Sequence, residues 1–365
     1  MATSETGQDF TLDTAAELAS EERGRGIEGK SPWFLAWRRL RRNWIGLGFL
    51  LIFVLIVAGC LLAPVYASHV SHQGVNDTNV GGTVTVNGKK IDVVSSGGVT
   101  VGANGQLTVK PGGVPIGPQW WHAGGRYVLG ADSLGRDIAT RILYGGENSL
   151  QVGIVSAAIC AFVAIVLALL AGYYGGVLDW VITRFFDLIW AFPVILLGIA
   201  LGTALAINGF HHFGINLSGS SLWIPTFVIS YVYIPYLARP LRGQILSLRQ
   251  TEFVEASVAQ GASPLRIMFS ELLPNIASSI LVLFTLIVAN TILTEAALSF
   301  LGAGVQPPNP SWGTLISAGQ TTIVTAPWLS VAPGIAIVLT VLSLNAFGDA
   351  LRDALDPRAK VRIEH

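Results

Sequence analysis

Residues 252–275 read EFVEASVAQGASPLRIMFSELLPN, a charged, glycine-broken stretch between two long apolar segments. Thr251 can cap a short helix whose opening turns hold Glu252 and Glu255, where the helix dipole favours negative charge. Gly261 supplies the left-handed backbone that ends a helix without steric cost. Ser263 followed by Pro264 restarts one, a cap and then a proline at the first helical position. Pro274 is expected to interrupt the chain again, just before the next apolar segment. Phe253, Val254 and Val258 make an apolar patch on the first helix, too small to be a core. Two readings stay open from these residues alone: a helix resting on a lipid surface, or one held by a partner.

Of 365 residues, 52% are hydrophobic and 12% charged, where an average soluble domain carries about 25% charged. The deficit is local. Apolar runs fall near 44–65, 150–172, 185–207, 222–238, 276–301 and 331–348, each about the roughly 17–25 residues that cross a hydrocarbon core as a helix. The composition therefore predicts an all-α integral membrane protein with six transmembrane helices. The first run starts too late and is too long for a secretory signal, whose apolar region spans roughly 7–15 residues. Cys60 and Cys160 fall inside predicted spans and read as small apolar side chains, with no disulfide and no metal site.

Orientation follows from Lys and Arg beside the spans. Lys30, Arg38, Arg39, Arg41 and Arg42 precede the first span and put the N-terminus in the cytoplasm. Arg239, Arg242, Arg249 and Arg266 place the 252–275 loop inside, and Arg352, Arg358, Lys360 and Arg362 do the same for the C-terminus. The loops at 208–221 and 302–330 contain no Lys or Arg, as outward loops should.

Along the chain, 1–30 reads as a flexible cytoplasmic tail and 31–66 as an amphipathic stretch with the first span. Residues 67–128 form an external loop. Within it, alternating runs flank Asn87-Gly88 and Asn104-Gly105, which predicts two hairpins, a small external β insert; a Gly-rich loop is the alternative. The core runs from 129 to 350 and a cytoplasmic tail from 351 to 365. Asp132 or Ser133 is expected to cap an amphipathic helix carrying Leu134, Ile138 and Ile142 on one face, lying at the outer membrane surface. GRGIEGKS at 24–31 satisfies a phosphate-loop pattern but lacks the surrounding α/β core that such a loop needs, so no ATP site is assigned to it.

Glu255-Ala256-Ser257, Gly261 and Leu273-Pro274 resemble the loop by which membrane subunits of bacterial ABC importers grip their ATPases, with Ser for the last Ala of the E-A-A pattern. LGADSLGRDIATRILYGGENSLQVG at 129–153, TEAALSFLGAGVQPPNPSWG at 294–313 and NAFGDALRDALDPR at 345–358 resemble the second (C-type) permease subunit of the dipeptide/oligopeptide branch. The match covers nearly everything from Ser31 onward except about 70–120. The resemblance implies a type I ABC importer permease fold in a prokaryotic plasma (inner) membrane and a chain that catalyses nothing itself. It implies a homologous second permease, two ATPases holding ATP and Mg, and an extracytoplasmic peptide-binding protein. The ATPase-coupling residues would be Glu252, Phe253, Glu255, Ala256, Ser257, Gly261, Ala262 and Pro264. Peptide is the expected cargo, with nickel chelates, glutathione and sugar oligomers as alternatives within the branch.

Glu295, inside the fifth predicted span, is either a pathway or gate residue or a buried acid bonded to neighbouring helices. Asp187 is expected to pair locally with Arg184, and His211 and His212 to be solvent-exposed rather than metal ligands. A membrane-embedded enzyme would need an intramembrane catalytic set that the sequence lacks. An ion-driven secondary transporter would not need the 252–275 loop.

Overall fold

The computed structural model describes residues 32–101, 106–110, 112–212 and 214–355. The N-terminal tail with GRGIEGKS, the Asn104-Gly105 turn and the basic residues Arg358, Lys360 and Arg362 lie outside them. The helices are α1 (Pro32–Arg42), α2 (Trp44–Leu61), α3 (Ile138–Tyr174), α4 (Gly176–Trp190), α5 (Val194–Asn208) and α6 (Trp223–Leu248), followed by α7 (Glu252–Ala259), α8 (Leu273–Phe300), α9 (Trp312–Gly319) and α10 (Trp328–Leu355).

Four stretches, α2, α3, Pro264–Phe300 and α10, are long and apolar enough to cross a membrane, and α4 with α5 makes a fifth if that bent pair is one span. The third predicted span, 185–207, contains that bend: α4 and α5 meet at 86°. Pro193 stands there as the N-cap of α5, and a proline cannot donate into the preceding turn. The fourth predicted span lies on α6, long enough at 26 residues but diluted by Pro235, Pro240 and Arg239.

Two expectations are corrected. No separate amphipathic helix begins at Asp132 or Ser133. Asp132 instead accepts from the backbone N–H of Leu134 and Arg136, closing a turn over Gly135 at φ +72°. The cap is Asp137, which accepts from Thr140 N at 3.0 Å, and α3 then runs unbroken for 37 residues. Pro274 does not interrupt either. A helical turn at Pro264–Arg266 and a widened π turn at Ile267–Leu272 lead straight into α8. The extra residue in that turn relieves the clash of the proline ring with the preceding carbonyls.

α3 is the central post, packed on α2, α6 and α8. Small residues let the backbones approach. A Cβ on Gly153 would sit 2.4 Å from Ile292 Cγ1 of α8, and one on Gly146 would meet Cys60 Sγ of α2 and the Trp312 ring. Cys60 and Cys160 are both buried and unbonded.

Between α2 and α3 the chain forms two antiparallel hairpins, β1 (Thr83–Val86) with β2 (Lys89–Asp92) and β3 (Gly98–Val101) with β4 (Leu107–Lys110). Asn87 at φ 51° and Gly88 at φ 80° make the first turn the type expected from Asn-Gly. A third hairpin, β5 (Phe210–His212) with β6 (Ile215–Leu217), was not foreseen. The insert has its own core, with Val84, Val86, Val93 and Tyr127 among its members. The Tyr127 hydroxyl accepts from Gln73 Nε2 and Asn79 Nδ2, at 2.6 and 2.9 Å.

Candidate coupling site

α7 is eight residues long and stands between two turns. Thr251 occupies its N-cap position, but its hydroxyl donates to Leu248 O at the end of α6 rather than capping α7. The far end follows the sequence closely. Gly261 takes φ +79°, its N–H donates to Val258 O at 2.9 Å, and Ala262 N donates to Ser257 O at 3.1 Å, which satisfies the last carbonyls of the helix. Ser263 then accepts from Arg266 N with Pro264 at the first helical position.

Only Val254 of α7 is buried; with Ile267, Met268 and Leu272 it joins the main core. Glu252, Phe253, Glu255 and Ala256 are exposed, as are Gly261 and Pro264, while Ser257 and Ala262 are half-buried. Neither the Glu252 nor the Glu255 side chain has a hydrogen bond or ion pair to another described residue. On and just beyond α7, Phe253, Val258, Leu265 and Phe269 leave between 40% and 63% of their surface uncovered. Beside α7 lies a groove of about 640 Å³ in which Tyr173, Tyr174 and Arg249 face Val254, Glu255 and Val258. The arrangement offers an outward knob on a rigid stem, wedged between α6 and α8, and no chemistry of its own.

Braces that sequence reasoning missed stiffen that stem. Arg242 of α6 binds both carboxylate oxygens of Asp179 on α4. Arg239 donates to Asp187 at 2.6 Å and lies 3.9 Å above the Trp190 ring. The expected Arg184–Asp187 pair is present at 3.1 Å, as one arm of this larger cluster. The available signal was two arginines and two aspartates, each near a span end, whose pairing needs the 86° bend to become visible.

Glu295 lies at the opposite end of α8 from α7 and is fully buried. Its Oε1 accepts from Ser299 Oγ at 2.6 Å, and Ser299 Oγ in turn accepts from Val305 N at 2.9 Å. Ser149 of α3 and Ser311, the N-cap of α9, stand beside the carboxyl, while Oε2 has no hydrogen bond among the described residues. His211 is exposed on β5 and contacts Asn216 Oδ1 at 3.2 Å; the His212 side chain lies outside the described residues.

The family described as "Binding-protein-dependent transport system inner membrane component" matches residues 164–361, the segment that holds α7 and its braces. This chain belongs to that family. A second description, "N-terminal TM domain of oligopeptide transport permease C", matches residues 31–80 of this inner membrane component. The dipeptide transport system permease protein DppC of Alkalihalophilus pseudofirmus is 35% identical over 330 residues, covering 90% of this chain and 91% of the relative. The glutathione transport system permease protein GsiD of Pectobacterium atrosepticum is 42% identical over 232 residues, 64% of this chain and 73% of the relative. The solved structure of the inward-facing MetNI methionine ABC transporter covers 59% of this chain and 96% of its own, at 18% identity and TM-score 0.47. Membership makes the chain a multi-pass transport subunit of the inner membrane, with ATP hydrolysis residing on other subunits.

Proposed function

We propose that this chain is the second of two permease subunits in an ATP-driven importer of short peptides. Similarity to permeases named for dipeptide and for glutathione transport supports a cargo containing peptide bonds. The observation that carries the mechanism is α7: an eight-residue helix with Val254 as its one buried residue, continuous through tight turns with the long helices on both sides. Two ATPases, each holding ATP and Mg, would close against each other, and one would draw on Glu252, Phe253, Glu255, Ala256, Ser257, Gly261, Ala262 and Pro264. The braces from α6 to α4 would pass the pull into the bundle. In this reading both termini and α7 face the cytoplasm and the β insert faces outward, toward a peptide-binding protein. Glu295 acts as a buried lock between α3, α8 and α9 rather than as a pathway residue.

Purification of the tagged chain from its native membrane in mild detergent tests the assembly. Two ATPases, a homologous permease and an external binding protein should accompany it. A chain that comes alone, or only with itself, would return the reading to a gradient-driven carrier.

A further inference from the structure

A groove of about 490 Å³ runs between α6, α8 and α10 at the same end of the bundle as α7. That volume is within the roughly 300–1,000 Å³ of small-molecule sites. Its polar lining is Gln244, Ser278, Ser279 and Arg352, and its apolar lining includes Leu283 and Leu286. None of those four polar side chains has a hydrogen bond or ion pair to another described residue. Other hydroxyls on the same helices are already engaged. Thr226, Ser230, Thr285, Thr340 and Ser343 each donate to a carbonyl one turn back. Asp349 and Asp353, the acids on either side of Arg352, do not line the groove.

The groove therefore offers a guanidinium, two hydroxyls and an amide beside an apolar wall. A phosphate accepts hydrogen bonds but gives few. The C-terminal end of a peptide both accepts and gives, and a carboxylate matches a guanidinium fork.

We propose that this groove is a release-side station for the cargo: Arg352 holds the C-terminal carboxylate of a short peptide, Ser278, Ser279 and Gln244 hold its last amide, and Leu283 and Leu286 flank its side chain. The inference rests on the peptide reading above and adds a site to it.

The test uses the assembled importer, with its partner permease and ATPases, in nanodiscs of phosphatidylcholine alone and without nucleotide. The photoreactive dipeptide alanyl-benzoylphenylalanine is added, the sample is illuminated, and the adduct is mapped by mass spectrometry. Labelling should fall in the α8 segment around Ser278–Leu286. It should drop at least about tenfold for the C-terminal amide of the probe and for Arg352→Gln, as expected when one charge-assisted hydrogen bond is lost, with partial recovery in Arg352→Lys. Ser278→Ala with Ser279→Ala serves as a second variant if Arg352→Gln does not assemble. An adduct elsewhere on the permeases, or equal labelling by acid and amide, overturns the station and leaves the peptide cargo standing. No adduct on any subunit overturns both. A tightly held phospholipid seen by native mass spectrometry in the wild type and lost in Arg352→Gln, with the groove unlabelled, assigns it to lipid and overturns the proposal.

Discussion

The two ends of the segment from α7 to α8 each carry glutamates, and the fold treats them in opposite ways. The Glu252 and Glu255 side chains are exposed and have no partner among the described residues, on a helix that buries one residue. Glu295 is sealed among three serines from three elements. An unpaired acid in water costs nothing, whereas a buried one is held only if the surroundings satisfy it. On the function proposed above, the first pair is set out for a partner and Glu295 keeps the bundle in register. Substitutions at the two ends should separate along that line: function without stability at one, stability first at the other.

The sharpest attempt to break the contrast is Gly261→Asp. Aspartate tolerates the left-handed backbone better than most residues, and a Cβ at Gly261 meets nothing within 4 Å. The chain should fold and insert. Its uptake in vesicles should fall by about thirtyfold, the loss of one interface hot spot of about 2 kcal/mol. Normal uptake and normal ATPase co-purification would remove α7 from the mechanism.

Glu295→Ala comes next and should act the other way. It takes away the acceptor of the Ser299 hydroxyl and leaves that buried donor unsatisfied, at a cost of about 2 kcal/mol. The melting midpoint should drop while ATPase stoichiometry stays unchanged; Glu295→Gln, which keeps an acceptor, should lose less. If uptake collapses at an unchanged melting midpoint, Glu295 is a gate after all.

Phe253→Ala sharpens the comparison from the exposed side. With 40% of its surface already uncovered, Phe253 contributes little to the isolated fold. Its loss should weaken ATPase association by about 1 kcal/mol, read as earlier dissociation during titration with detergent, with no change in the melting midpoint of the isolated chain.

What could be read beforehand divides by the range of the interaction involved. Gly261, Ser263-Pro264 and Asn87-Gly88 act within a few residues, so their turns were legible from chemistry alone. Six apolar runs announced the helices, yet not the 86° bend inside the third, where hydropathy runs unbroken across Pro193. Asp132 or Ser133 was the expected cap, and the cap fell instead on Asp137. The outcome turned on Arg136, which returns to Asp132 at 2.7 Å and draws it into a turn. Pro274 read as a break because a π turn has no sequence signature comparable to proline's own. The residues proposed for coupling were read from a pattern, and the Arg242–Asp179 and Arg239–Asp187 braces behind them were not, since 63 and 52 residues separate the partners.

The smallest effect tests whether burial also governs an acid outside the spans. Asp137, the cap of α3, is held above the usual carboxylate range by burial, which outweighs the lowering by the Thr140 hydroxyl and nearby backbone N–H groups. The Tyr66 phenol is itself raised by burial and by the charge of Asp137, and neither its hydroxyl nor Asp137 Oδ1 has a hydrogen bond among the described residues. A carboxyl raised in the folded state binds its proton more tightly there than in the unfolded chain. The stabilisation it gives is complete below the ordinary carboxylate value and is lost as pH rises through the raised one. Asparagine caps a helix about as well as aspartate and does not titrate. The melting midpoint of the wild type should therefore decline relative to that of Asp137→Asn as pH is taken from about 4 to about 8. A difference that grows in favour of the wild type over that range would mean that the ionised cap stabilises α3 more than its burial costs, and that the contrast between open and sealed acids does not extend to this end of the bundle.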